Sequence, residues 1–261
     1  MKTPVQLTAI IAARLLACAW LVISALNLSA QSGVTASGVK YTILQPGTGP
    51  APQPGQEVLL HVEAMDNAGK VSFSTHDLGL LIHETTGSAT DPIDKAREEL
   101  LMQMKKGTRY REEVPKSLLP ADAAARKAPG DFFVSVVELV EVLDAKPSGT
   151  DLIVETAETK DIAAAETQFK TLQQSNPKGY TFFEWDMNMA GYNALEDEKY
   201  DLAIALFLMN TTLYPKSANT YDSLGDAYAA KGDKEKAKAS YQKAVQMNPK
   251  FTASQEKLEK L

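Results

Sequence analysis

A match of the last third of the sequence with itself, at an offset of 34 residues, constrains the fold more than any other feature of the chain. The offset sets Pro215 on Pro249, Phe207 on Tyr241, Ala203 on Ala237 and Gly191 on Gly225. A unit of this length, with small residues at fixed places among large apolar ones, reads as a pair of antiparallel helices that stacks on the next pair. Gly225 and Ala237 are small where the two helices cross closely, and Tyr221, Leu224, Tyr228 and Tyr241 fill the space around them. Lys231-Gly232-Asp233 is the turn between the helices, and Pro249 cannot continue the second one. Phe251, Ala253 and Leu258 are expected to give a last helix one apolar edge, with Glu256, Lys257, Glu259 and Lys260 facing water as a solubilising cap.

The second copy carries Tyr221, Leu224, Gly225, Tyr228, Ala237, Tyr241, Ala244 and Pro249, and through them it resembles the tetratricopeptide family. The first copy matches more loosely, because Ala190 and Ala194 stand in for larger residues. The tail also resembles a tetratricopeptide extension of exported bacterial hydrolases, through Glu184-Trp185-Asp186-Met187-Asn188, Gly191-Tyr192 and the run from Tyr221 to Tyr228. The resemblance implies two repeats plus a capping helix over residues 184–261. It also implies an inner groove formed by Trp185, Asn188 and Tyr192 from one repeat and Asn219, Asp222 and Asp226 from the next. None of the six is basic, so the basic clamp that cytosolic co-chaperones use for a terminal carboxylate is missing. The implied ligand is a protein or peptide, neutral or basic. Packing or dimerisation alone is the competing reading, since solenoids usually need about three units.

Ahead of the repeats the pattern changes. From Gly38 to Leu143 short valine-rich runs such as Val58–Val62 and Phe132–Val140 alternate with Pro and Gly, as strands do. One helix is expected over Asp94–Lys106, where Ala96, Leu100, Leu101 and Met104 recur at helical spacing and Gly107 ends it. Residues 144–160 turn polar and read as a linker, most flexible at Lys146-Pro147-Ser148-Gly149-Thr150. Residues 161–183 hold an extra helix, Ala163 to Gln174, closed by Pro177-Lys178-Gly179. The fold class is therefore multidomain α+β, an antiparallel sheet with one helix followed by an all-α array.

Ser37-Gly38-Val39-Lys40-Tyr41, Gly47-Thr48-Gly49, Pro54-Gly55-Gln56-Glu57-Val58, Gly69-Lys70-Val71, Met104-Lys105-Lys106-Gly107 and Val137-Glu138-Leu139 occur in the order and spacing of the FKBP-type prolyl isomerases. The resemblance covers residues 37–143 and implies a curved antiparallel sheet wrapped on a single helix. It also implies a dry aromatic cup with a tryptophan floor, in which a twisted proline amide is stabilised against a barrier of roughly 18–20 kcal/mol. Here most of the cup residues differ. Val62 replaces the tyrosine after His61, Ser72-Phe73-Ser74 replaces a phenylalanine-aspartate pair, and Ile93-Asp94 replaces valine-isoleucine. The floor becomes Arg97, the loop tyrosine falls near Leu118-Leu119-Pro120, and the last phenylalanine is Ser135. Val62, Phe73, Ile93 and Arg97 are thus the candidate remnants of the pocket, and a charged floor cannot hold a proline ring in the same way.

Residues 1–30 have the layout of a secretory signal: Lys2 and Arg14 in the n-region, an apolar run from Leu15 to Leu28, and small residues before Gln31. Cleavage is expected after Ala30, in preference to lipidation at Cys18, because the apolar run continues past that cysteine. The run is shorter than the roughly 20 residues of a spanning helix, so no integral membrane segment is expected after cleavage. Cys18 is the only cysteine, and its loss removes disulfide, thiolate and cysteine-metal chemistry together. The full sequence carries a net charge of −6, and losing Lys2 and Arg14 makes it more acidic, which argues against nucleic acid as a partner.

Other chemistry finds little support in the residues. His61, His76 and His83 have no metal-ligand spacing and read as solvated loop histidines, so no metal and no cofactor is expected. Gly47-Thr48-Gly49 lacks the Gly-Lys-Ser/Thr of a phosphate loop. Glu112-Glu113 and Glu138 with Glu141 read as solvated surface at strand edges. The sequence therefore points to an exported protein-binding factor of a bacterial periplasm or cell envelope, with a chaperone or assembly role. The alternative is an active FKBP-type prolyl isomerase whose tail recruits substrate. The two differ in whether Val62, Phe73 and Ile93 line an open apolar pocket, and whether Arg97 fills it.

Overall fold

A computed structural model describes residues 31–65, 69–119, 130–176 and 178–261. The leader at 1–30 with Lys2, Arg14 and Cys18, and also Pro120 and Pro177, lie outside the described residues.

The front domain is one antiparallel sheet of β1 (Ser32–Val34), β2 (Lys40–Gln45), β3 (Glu57–Met65), β4 (Val71–Ser74), β5 (Ile82–Thr85), β6 (Arg109–Pro115) and β7 (Phe132–Leu143). The order is β1-β2-β6-β7-β3-β4, with β5 also paired to β3. β3 alternates inward Val58, Leu60, Val62 and Ala64 with outward residues, the period of two that one covered face requires. A single-turn helix, α1 (Thr75–Leu78), follows β4 and is capped by Ser74. The main helix of this domain, α2 (Pro92–Leu101), packs on the covered face through Ala96, Leu100 and Leu101. It starts two residues before the expected Asp94, because Asp91 caps the amides of Ile93 and Asp94 and Pro92 suits the first turn. It also stops well short of Lys106; Met104 still reaches the core, but from a turn that leads into Gly107, whose φ is +82°.

The stretch read as a flexible linker is ordered. Gly149–Thr159 forms α3, capped by the Ser148 hydroxyl on the Asp151 amide, and buries Ile153. Its start is pinned to the connector, since the Gly149 amide donates to the Thr181 carbonyl at 2.7 Å and the Thr181 amide to Pro147 at 3.0 Å. α3 pairs with α4 (Ile162–Ser175), so the extra helix is half of a hairpin. Then come α5 (Glu184–Glu196), α6 (Tyr200–Leu213), α7 (Ala218–Lys231), α8 (Lys234–Met247) and α9 (Thr252–Lys260). Gly191 lies against the Phe207 ring and Gly225 against Tyr241, the close crossings that small residues permit. Thr150, Glu184, Ala218 and Thr252 stand at successive 34-residue steps at or next to the first residues of α3, α5, α7 and α9. The α3–α4 pair therefore occupies the place of one more unit, and one apolar core runs from Ile153 and Phe169 through Phe207 to Ala227. No described helix is long and apolar enough to cross a membrane.

Candidate functional site

The place where the resemblance implies an apolar cup holds an ion-pair network. Arg97, in the second turn of α2, reaches Glu84 of β5 through Nη1 at 3.2 Å and Glu112 of β6 through Nη2 at 3.7 Å. Glu112 has no exposed surface, and the Ser135 hydroxyl of β7 donates to its Oε1 at 2.5 Å. Its burial corrects the expectation of a solvated Glu112-Glu113 pair. β6 lies between β2 and β7, and its alternation turns Tyr110, Glu112 and Val114 inward; only Glu113 faces out, where it meets Arg111.

The charges in this network are set by burial and by one another. Burial pushes the Glu84 carboxyl up in spite of the Arg97 guanidinium, and burial pushes the Tyr110 hydroxyl well up. Burial works against the Arg97 charge, but the Glu112 and Glu84 carboxylates outweigh it and hold the guanidinium charged. Glu112 Oε2, Arg97 Nε and the Tyr110 hydroxyl are buried without hydrogen-bond partners among the described residues, so within these the network is incompletely satisfied.

Of the remaining cup candidates, Val62 and Ile93 share one core and Phe73 stands apart from them. Val62 is buried in the sheet–helix core and Ile93 packs against its edge, so neither lines an opening with Phe73. Phe73 is 37% exposed on β4, where it borders a separate cleft of about 440 Å³ with Val71, Leu78, Asn219 and Phe251. The cavity beside Arg97, of about 390 Å³, is bordered by Glu84, Asp94, Glu98 and, from the tail, Trp185. The Asp94 carboxyl is pushed up to about 6, first by its hydrogen bond with Asp91, then by burial and the Asp91 charge. Ile82, Leu101 and Trp185 give the cavity some apolar wall, but a pyrrolidine ring there would lie against the Arg97 guanidinium and the carboxyl groups.

The predicted groove of the tail is mostly filled. Asn188, Asn219 and Asp222 are buried, and Tyr192 donates to Asp226 at 2.8 Å. Lys257 of α9 turns inward onto Asp222 at 2.7 Å and Asp226 at 2.8 Å, and Ser254 donates to Asp222 at 2.5 Å. The cap thus differs from expectation. Ser254, not Ala253, is the buried residue of α9, and Lys257 is only part-exposed, because its ammonium compensates the buried Asp222 and the half-buried Asp226. Burial raises the Asp222 carboxyl while the Lys257 charge opposes it. The basic partner of the acidic groove is supplied by the chain itself.

The array rests on the front domain at two places, the start of α5 and the turn after α8. His83 of β5 binds Asp186 at 2.8 Å and stacks on Phe183 at 4.0 Å between ring centroids. At the second place Asn248 donates to the Asp77 carbonyl at 2.6 Å, and Leu78 packs on a cluster of Ala218, Ala244 and Phe251. The histidines are accordingly not free loop groups: His83 lies in a strand and is largely covered, and His61 of β3 stacks on His76 at 3.6 Å. Glu84, Glu112, Lys257 and the His83–Asp186 pair were not singled out by sequence as a site. A signal for Lys257 did exist, because residues one repeat apart on successive first helices are neighbours.

Residues 218–251 match the tetratricopeptide repeat family. No curated protein matches the chain. Among solved structures it is similar to FkpA from Escherichia coli at 21% identity, over 44% of this chain and 52% of that one, with a TM-score of 0.35. It is similar also to a multi-domain immunophilin from Arabidopsis thaliana at 17% identity, over 84% and 98% of the two chains, with a TM-score of 0.39. A third is a peptidyl-prolyl cis-trans isomerase from Pseudomonas syringae pv. tomato at 20% identity, over 55% and 99%, with a TM-score of 0.36. The chain spans about half the length of the E. coli structure. The antiparallel sheet on one main helix agrees with the fold that the FKBP-type resemblance implies, and the helical pairs around the match at 218–251 agree with a tetratricopeptide array.

Proposed function

We propose that this chain is an exported protein-binding factor, with a chaperone or assembly role, in which the FKBP-like domain is a scaffold and not an isomerase. The observation that carries the reading is the Arg97–Glu112 pair, fixed by Glu84 and Ser135, in the space that the prolyl ring of a substrate would need. Stabilising a twisted amide needs a dry apolar wall, and a guanidinium with two carboxylates keeps the site polar. The tetratricopeptide architecture supports protein partners. Export rests on the signal-like residues 1–30.

A protease-coupled isomerisation assay on a proline tetrapeptide tests this. The expected result is a rate equal to the uncatalysed one at micromolar protein. A catalysed rate in the range of ordinary FKBP-type isomerases would overturn the scaffold reading. Signal cleavage is checked by the mass of the protein secreted to the bacterial periplasm, with Gln31 expected as the first residue.

A further inference from the structure

The second repeat seals itself with large residues that the first repeat lacks. Leu224 and Tyr228 of α7 pack into the core toward α6, and their counterparts one repeat earlier on α5 are Ala190 and Ala194. With these short side chains facing α3, the junction of α3 with α5 and α6 is left open as a groove of about 600 Å³. Its accessible apolar wall is Val154, Ala190 and Met189, the last 40% exposed, over a base formed by the buried Leu202 and Leu206. Thr150 at one wall is buried, and its hydroxyl has no hydrogen-bond partner among the described residues.

The rim of this groove is acidic. Asp151, Glu155, Glu158, Asp186 and Asp197 border it, against one cation, Lys199. Lys199 is already held by Glu158 at 3.3 Å and Asp197 at 3.0 Å, and Asp186 by His83. Asp151 and Glu155 have no cation within ion-pair distance among the described residues. We infer that the α3–α5 groove docks a basic amphipathic segment of a partner protein, with an apolar side chain on the alanine floor and lysine or arginine over the carboxylates. This rests on the protein-binding reading above and names the partner class. A second copy of the chain is the less suitable occupant, because two copies of a sequence of net charge −6, more acidic still without Lys2 and Arg14, repel each other.

The test uses the intact mature chain and a fluorescein-labelled short peptide in which leucine and lysine alternate. Saturable binding is expected, weakened about tenfold or more when salt is raised from about 0.05 to about 0.3 M. Ala190→Leu, which installs the second repeat's own residue, is expected to abolish binding without lowering the melting temperature. Combined Asp151→Asn, Glu155→Gln and Glu158→Gln changes touch only the rim, and are expected to weaken binding about tenfold even where Ala190→Leu fails to fold. Peptides with glutamate for lysine or serine for leucine are expected not to bind. Equal binding of the glutamate peptide, or binding that survives both variants, overturns the proposal. So does a concentration-dependent mass in light scattering that Ala190→Leu abolishes, which would make a second copy the occupant. Absence of peptide binding also overturns the groove while leaving the scaffold reading intact, since that reading is decided by the isomerisation assay.

Discussion

The Arg97 guanidinium stands 3.7 Å from the carboxylate of Glu112, and the carboxylate has no exposed surface. Removing one partner of such a pair leaves a buried charge alone, whereas removing both replaces it with apolar contact. Arg97→Ala is therefore expected to lower stability by about 3–5 kcal/mol. The triple change Arg97→Met with Glu112→Leu and Glu84→Gln, which removes every charge of the network, is expected to recover most of that loss, and the double change without Glu84→Gln only part of it. Urea unfolding of the three variants decides it, and equal destabilisation by all three would mean that the network does not act as a unit.

Lys257 joins the last helix to Asp222 and Asp226 across the inner groove. Lys257→Met keeps the length of the side chain and removes the charge, leaving Asp222 with Ser254 as its remaining side-chain partner. A loss of about 1–3 kcal/mol is expected, concentrated in the final helix. Hydrogen exchange should then show faster exchange in α9 than in α7. Uniform protection in the variant would argue that α9 is held by Phe251 and Leu258 alone.

Glu184 is buried and accepts hydrogen bonds from Ser217 at 2.7 Å and Asn219 at 3.2 Å, which satisfies one oxygen. Burial pushes its carboxyl above the ordinary 4.5, with the two hydrogen bonds opposing. A raised value means that the fold binds the proton more tightly than the unfolded chain does. The associated stability is present at low pH and is lost as pH rises from 4.5 through the folded value. Glu184→Gln removes this dependence while its carbonyl still accepts from Ser217. Relative to the parent, the variant is expected to gain stability with rising pH across that window, read from urea midpoints at matched pH.

Gly225 and Gly191 lie where a methyl group would overlap the Tyr241 and Phe207 rings. Neither has a positive φ, so the effect of alanine there is pure crowding. Gly225→Ala is expected to cost about 1–3 kcal/mol by thermal unfolding, and a joint Gly225→Ala and Tyr241→Leu change to recover part of it.

The repeat was legible because its residues are fixed by contacts inside one unit: glycine at the crossing, aromatics around it and proline at the end. Ala96, Leu100, Leu101 and Met104 were legible for the same reason, being a local periodicity. The first helical pair was missed because its matches are indirect. Ala157 stands one repeat before Gly191, but polar Thr156 and Glu158 surround it, and only the 34-residue step from Glu184 back to Thr150 marks the start. Glu112 was misread because burial of a strand carboxylate depends on a partner from a distant helix, and Arg97 is invisible to any pattern within β6. Lys257 was assigned to water because a helix pattern alone cannot tell which polar residue meets the charges of another helix.

The array touches the front domain at β5, where His83 holds Asp186, and again at α1, where Asp77 receives Asn248. A spiral anchored at two places is a clasp, and its span is set by the distance between those two points of the front domain. Open solenoids can lengthen by duplicating a unit. Here an added pair of helices would carry Asn248 and Phe251 past Asp77 and Leu78, so the number of units is tied to the width of the domain that the clasp encloses.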